Sequence, residues 1–148
     1  MRFAGYAAIF GRSDRGGDIV RAGAFARSLK RARRAVPLLW QHAPGWPIGR
    51  IEYLKEDRRG LRVIGRLSRG AAGREAAAML RKGMVRGLSF GYRVRQAEGT
   101  GPRALTELEL IEVSLVSQPM QPWARVHAIE PAESEARGCA SGSAWLRG

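Results

Sequence analysis

The sequence has a single cysteine, Cys139, set in a Gly/Ser/Ala stretch near its end. One thiol excludes an internal disulfide framework and a cysteine-based zinc cluster, and a reducing cytoplasm is the expected compartment. No run approaches the ~18 consecutive apolar residues of a membrane helix, so no membrane partner is expected. Met1 is followed by the mixed segment Arg-Phe-Ala-Gly-Tyr, without a basic and then apolar leader, so the chain is expected to act where it is made. Acidic residues are scarce: 13 Asp and Glu face 26 Lys and Arg, a net charge of +13. Lysine is scarcer still, only Lys30, Lys55 and Lys82, which makes the cationic character almost wholly arginine. The densest piece, Arg27, Lys30, Arg31, Arg33 and Arg34, suits a phosphate or an acidic protein surface equally well, and also suits a plain solvated helix face. No aromatic residues alternate with these cations, and no recognition helix or zinc finger accompanies them. Nucleic acid is therefore expected only as a general electrostatic partner.

What is present is one domain's worth of chain, 148 residues of which 45% are hydrophobic. Residues 2–10 read as a strand, and Gly11 to Gly17 as a turn. Ala24 to Ala32, with Phe25, Leu29 and Ala32 at helical spacing, reads as a short amphipathic helix. Val36 to His42 reads as extended because Pro37 forbids a helix interior, and Ala43 to Pro47 reads as a rigid loop. Ile48 to Leu54 and Leu61 to Leu67 flank a charged turn ending in Gly60 and form an expected hairpin. Ala71 to Lys82 reads as a second helix stopped by Gly83. Gly87 to Arg95 alternates with the period of a strand, which sends Ser89 to the face opposite Leu88, Phe90 and their neighbours. In the long strand Leu105 to Val116, parity groups Glu112 with Leu108, Leu110, Ser114 and Val116, and Glu107 and Glu109 with Ile111. The expected fold is mainly β (α+β), a compact, partly closed β-barrel with two short helices. The domain is expected to span residues 1–127, with 128–148 a flexible tail because its composition turns to Glu, Ala, Ser and Gly.

Only His42 and His127 can assist a nucleophile through an imidazole. His42 lies where a strand meets a loop, a frequent place for site residues, although a lone histidine is more often structural. Ser89 lies in Gly87-Leu-Ser-Phe-Gly91, which matches the nucleophile-elbow pattern, but an elbow needs a helix directly after the serine and a sheet of βα units. The order Ser89, Glu112, His127 is discounted for the same reason. Two readings of the glycines stand side by side: space and open amides for a substrate and its oxyanion, or relief of crowding in a barrel strand. A serine hydroxyl needs a base within hydrogen-bond reach and a group that orients that base. His42 can be the base and Glu112 the orienting acid; a carboxylate among apolar neighbours needs such a partner, and an arginine would also serve.

Taken together, Phe3-Ala-Gly-Tyr-Ala-Ala-Ile-Phe-Gly11, Gly17-Asp-Ile-Val-Arg-Ala-Gly-Ala-Phe25, Leu39-Trp-Gln-His42 with Pro47-Ile-Gly-Arg50, Gly87-Leu-Ser-Phe-Gly-Tyr92, and Leu108-Glu-Leu-Ile-Glu-Val-Ser-Leu-Val116 with Pro119-Met-Gln-Pro122 resemble the prohead proteases of tailed bacteriophages. That family of serine peptidases matures capsids and also occurs in gene transfer agents and prophages. The motifs cover most of residues 3–126 in family order, beginning almost at once and without the longer N-terminal extension of many members. The resemblance implies a fold similar to herpesvirus assembly proteases and a serine endopeptidase with no cofactor or metal. His42 would be the general base and Ser89 the nucleophile. The third catalytic residue would be Glu112, with His127 the alternative because herpesvirus-type enzymes use a second histidine. The implied substrates are a scaffold protein or the scaffolding segment of the major capsid protein, with self-cleavage and a portal contact as further expectations. The implied location is the procapsid interior in the cytoplasm of the bacterial host, where +13 would attract acidic scaffold segments. The alternative reading is a non-enzymatic, basic capsid-interior or nucleic-acid-binding assembly protein in which the site is vestigial, with phosphate binding that weakens as salt rises.

Overall fold

A computed structural model describes residues 1–31 and 35–131. Its strands are β1 (Arg2–Ile9), β2 (Ile19–Val20), β3 (Leu38–Trp40), β4 (Ala43–Glu56), β5 (Gly60–Leu67), β6 (Gly87–Glu98), β7 (Ala104–Val116) and β8 (Val126–Ile129), with helices α1 (Ala26–Arg31) and α2 (Ala71–Arg81). The eight strands form one sheet in the order β2-β7-β3-β4-β5-β1-β8, and β6 covers the other side of β7. The architecture is the expected one, mainly β with two short helices, and departs from a partly closed barrel only in that the sheet does not close. An isolated bridge between Gly87 and Arg125 ties β6 to the segment before β8 without a continuous ladder.

Alternation made the strands legible. Leu61, Val63, Gly65 and Leu67 of β5 are buried while Arg62, Ile64 and Arg66 between them are half-buried. Phe3, Leu38, Ile48, Leu61, Leu88, Leu105 and Leu115 build a core closed to solvent. Phe25 also lies in it, edge-on to Phe90 with ring centroids 5.1 Å apart. Glu56 accepts hydrogen bonds from the Gly23 and Phe25 N–H groups (both 3.2 Å), satisfying donors just ahead of α1. Ala32, Arg33 and Arg34, part of the expected helix and basic cluster, lie outside the described residues. Helix α2 buries Gly73, Ala76 and Leu80 and ends where Gly83 takes φ +70°, with Met84 N–H reaching back to the Met79 carbonyl at 3.0 Å.

Three finer expectations are corrected. Ala43 to Pro47 is not a loop but the first part of β4: Trp40 pairs with Ala43 and Leu39 with Pro47. The connection is therefore the two residues Gln41 and His42, both at positive φ (50° and 61°), as in the primed turns that match the twist of a hairpin. The ordered domain also runs past 127: Ala128 and Ile129 complete β8 against Ala4 and Phe3. Glu130 exchanges hydrogen bonds with Arg2, its N–H to the Arg2 carbonyl and its carboxylate to the Arg2 N–H (both 2.8 Å). The remainder of the expected tail, 132–148, lies outside the described residues.

The third correction concerns β7. Gly91 pairs with Glu112 and Tyr92 with Leu110, so Ile111 is an extra residue, a β-bulge that leaves its side chain 43% exposed. Because consecutive residues of β6 face opposite ways, Glu112 and Leu110 lie on opposite faces. The bulge removes Glu112 from the face of Leu108 and Leu110 and puts it with Ser89, Gly91 and Ser114, since Ser89 pairs with Ser114.

Candidate active site

One face of the β6–β7 pair thus carries Ser89, Glu112 and Ser114, and the β3–β4 turn brings His42 to it. His42 Nδ1 is hydrogen-bonded to Glu112 Oε1. The second carboxylate oxygen, Oε2, accepts from the Ser114 hydroxyl at 2.6 Å. The same hydroxyl oxygen accepts from the His42 backbone N–H at 3.1 Å. Glu112 is buried, and a buried carboxylate is costly unless paired and hydrogen-bonded; these two contacts meet that need. Binding a carboxylate through Nδ1 fixes the imidazole with its proton on that nitrogen and leaves Nε2 free to accept one. The His42 side chain is 42% exposed, so the ring reaches outward from a buried acid.

The turn itself is held from β7. Gln41 N–H donates to the Leu115 carbonyl at 2.9 Å. The Gln41 amide oxygen accepts from Ser117 N–H at 3.1 Å and its nitrogen meets Ser117 Oγ at 3.3 Å. Two side-chain-bearing residues in the left-handed region store backbone strain, and such strain persists only where the surroundings over-determine it.

Ser89 is 4% exposed and shares a sheet face with Glu112, its Oγ making no hydrogen bond to His42 among the described residues. Of the two readings of the flanking glycines, the structure favours crowding. A Cβ on Gly91 would stand 2.6 Å from Glu112 Oε1, and one on Gly87 would stand 2.7 Å from both Pro119 Cδ and the Val116 carbonyl oxygen. The space at both glycines is filled by the protein itself, not open to a substrate.

His127 is not brought to this site. On β8, its Nε2 lies 3.0 Å from Arg62 Nη1 and its ring 6.0 Å from that of Tyr6. Burial, and then the charges of Arg62 and Arg59, hold its imidazole below the ordinary value and favour the neutral form. Glu107 and Glu109 pair with Arg27 and Arg95 as solvated charges. Among the described residues no three His, Cys, Asp or Glu side chains gather as metal ligands, and no helix is long and apolar enough to cross a membrane.

Sequence reasoning did not single out Ser114 or Gln41. The signal for Gln41 was present, since a turn of two residues between paired strands demands positive φ, but it was hidden while Ala43 to Pro47 read as a loop. An open basin of about 900 Å³ lies on the other side of the bulge, lined by Val36, Pro37, Ile111 and Arg95 among others and by none of His42, Ser89, Glu112 and Ser114.

The fold is one shared by viral assembly proteases. The structure matches the capsid assembly protease of bacteriophage T4 with a TM-score of 0.64 at 18% identity, covering 80% of this chain and 82% of that one. It matches the KSHV protease, solved with a hexapeptide phosphonate inhibitor, with a TM-score of 0.60 at 14% identity, covering 84% and 63%. The sequence assigns the family: residues 1–137 match the caudovirus prohead serine proteases, and the chain belongs to that family. It is 37% identical over 101 residues to the prohead protease of Enterobacteria phage HK97, across 66% of this chain and 44% of that protein. It is 29% identical over 112 residues to a capsid polyprotein of Pseudomonas phage PAJU2, across 69% of this chain and 17% of that one. The chain thus spans less than half the length of these two curated relatives.

Proposed function

We propose that the chain is a serine endopeptidase of prohead maturation, with Ser89 as nucleophile, His42 as general base and Glu112 as the acid that orients His42. The single observation that carries this reading is the His42–Glu112 hydrogen bond on the sheet face that also holds Ser89. Ser89 Oγ attacks the scissile carbonyl carbon as His42 Nε2 takes its proton. The carbon–nitrogen bond then breaks as that proton passes to the leaving amine, and water, deprotonated by the same nitrogen, releases the acyl group from Ser89. Glu112 stays ionised throughout and stabilises the imidazolium.

The substrate in this reading is the scaffolding segment of the major capsid protein or a separate scaffold protein, inside the procapsid. Kinship with a prohead protease and with a capsid polyprotein supports a capsid partner, or cleavage within one polypeptide. The net charge of +13 suits an acidic scaffold segment. Co-expression of the wild type and Ser89→Ala with the neighbouring major capsid protein, followed by intact-mass analysis, tests the function. Only the wild type is expected to yield a subunit shortened at its N-terminus; an intact subunit with both overturns the reading.

A further inference from the structure

We propose that Ser114 is a positioning residue for the candidate reaction: its hydroxyl locks the strained turn that carries His42 onto the carboxylate that orients His42. The inference rests on the function proposed above and adds a fourth residue to it.

Ser114 is fully closed to solvent and sits in the middle of the sheet, paired with Ser89 on β6 and with Leu39 on β3. Both capacities of its hydroxyl are used in one direction. Its proton goes to Glu112 Oε2 (2.6 Å), and its lone pair takes the His42 N–H (3.1 Å). The nucleophile must approach a carbonyl carbon and give its proton to the imidazole, and a hydroxyl with no exposure that donates to a carboxylate does neither. That separates the two cross-strand serines into different roles.

The position needs such a group for two reasons. Among the described residues Glu112 makes two side-chain hydrogen bonds, to His42 and to Ser114; without the second, one oxygen of a buried carboxylate loses its partner there and the group is free to rotate away from Nδ1. His42 adopts φ 61°, a conformation a side-chain-bearing residue leaves readily unless held. Ser114 acts on both at once, fixing the backbone of the base and the rotamer of the acid from one atom. Charge-assisted hydrogen bonds of this length are the strong ones, so the lock is well matched to its load.

The test compares Ser114→Ala with Ser114→Thr, each checked for an unchanged melting transition, and uses Ser114→Cys if threonine does not fold. Packing and positioning predict opposite orders. In a site with no exposure, alanine leaves a small void whereas threonine adds a methyl group, so a packing role makes threonine the worse variant. A positioning role makes alanine worse: its kcat falls about 10- to 100-fold with KM within about twofold, and threonine keeps most of the rate. A second readout needs no turnover. Proton NMR of the wild type is expected to show a downfield His42 Nδ1–H resonance, lost or broadened in Ser114→Ala and kept in Ser114→Thr. An alanine variant that keeps both the rate and the resonance, or a threonine variant that is the slower of two folded proteins, overturns the inference. If instead the wild type shows no turnover, the proposed function fails, while the resonance still decides the role of Ser114.

Discussion

Replacing Gly91 with alanine separates the two readings of the glycines around Ser89. The new Cβ would stand 2.6 Å from Glu112 Oε1, 3.0 Å from its Cγ and 3.1 Å from its Cδ; the first is about 0.8 Å inside the 3.4 Å at which ordinary contact begins. Gly91 has no positive φ, so the backbone accepts alanine and the conflict falls on one carboxylate. That carboxylate can move only by giving up its contacts with His42 Nδ1 and Ser114. The expected stability loss is that of modest overpacking, about 1–3 kcal/mol. The expected rate loss is larger in proportion, on the order of 10²-fold for a displacement of about 1 Å within a catalytic array. The assay is the initial rate of capsid-subunit shortening by purified variant, set beside a urea melt. Gly87→Ala is the control, because its Cβ meets Pro119 and Val116 rather than the acid, so its cost falls mainly on stability. A folded Gly91→Ala with the wild-type rate refutes the reasoning. Equal rate losses in both variants would mean that the glycines serve the approach of substrate to Ser89.

Three further outcomes follow from the same geometry. The Asp18 carboxyl is held below its ordinary value chiefly by its hydrogen bonds from Arg103 (3.0 and 3.2 Å), so its contribution is present above about pH 4 and is lost as pH falls through the folded value. Asp18→Asn should flatten that acid limb in a melting-temperature series, and an unchanged limb would contradict the assignment. His127 is held below its ordinary value by burial and by Arg62 and Arg59, so the folded state takes up a proton less readily than the unfolded one. Stability should therefore drop as pH falls below about 6.5, and His127→Gln should reduce that drop without changing the rate of subunit shortening; a large rate loss would reinstate His127 as a catalytic residue. Gly60→Ala should be far costlier than Gly91→Ala, because its Cβ would lie 1.8 Å from the Ala8 carbonyl oxygen, and backbone cannot step aside as a side chain can. A loss of about 3 kcal/mol or more is expected in chemical denaturation, and a near-neutral result would show that the β1–β5 pairing has slack.

Strand β1 was legible as a short apolar run, which proves to be buried on both faces, β5 by its place after a charged turn ending in Gly60, β6 and most of β7 by the alternation of apolar with small or polar residues, and α2 because small and apolar residues recur at helical spacing before a glycine stop. His42 was legible as a residue at an element end, and Ser89 as one that faces away from the core. The face of Glu112 was not. Parity counting assumes an unbroken ladder, and the extra residue at Ile111 inverts the faces beyond it without any change in residue type that marks a bulge. The first part of β4 was misread because Pro44, Gly45 and Pro47 are turn residues, whereas the turn was made by Gln41 and His42, held at positive φ by hydrogen bonds from β7 that only the folded chain supplies. Ser114 was invisible for a related reason, since a serine in an apolar strand declares no partner until β3 is laid beside β7 in parallel. β8 was cut short because the composition shift at Ala128 lies inside the strand, whose last residues are fixed by pairing with β1 rather than by their own propensity.

The central claim is that Ser89, activated by His42 and Glu112, is the nucleophile. Treatment of the wild type, Ser89→Ala, His42→Ala and Glu112→Gln with a serine-directed fluorophosphonate, followed by peptide mapping, tests it most directly. The account predicts one label on Ser89 in the wild type, none in Ser89→Ala, and labelling slowed in His42→Ala and in Glu112→Gln. A label on Ser114, or a Ser89 labelled at the wild-type rate without His42, would contradict it.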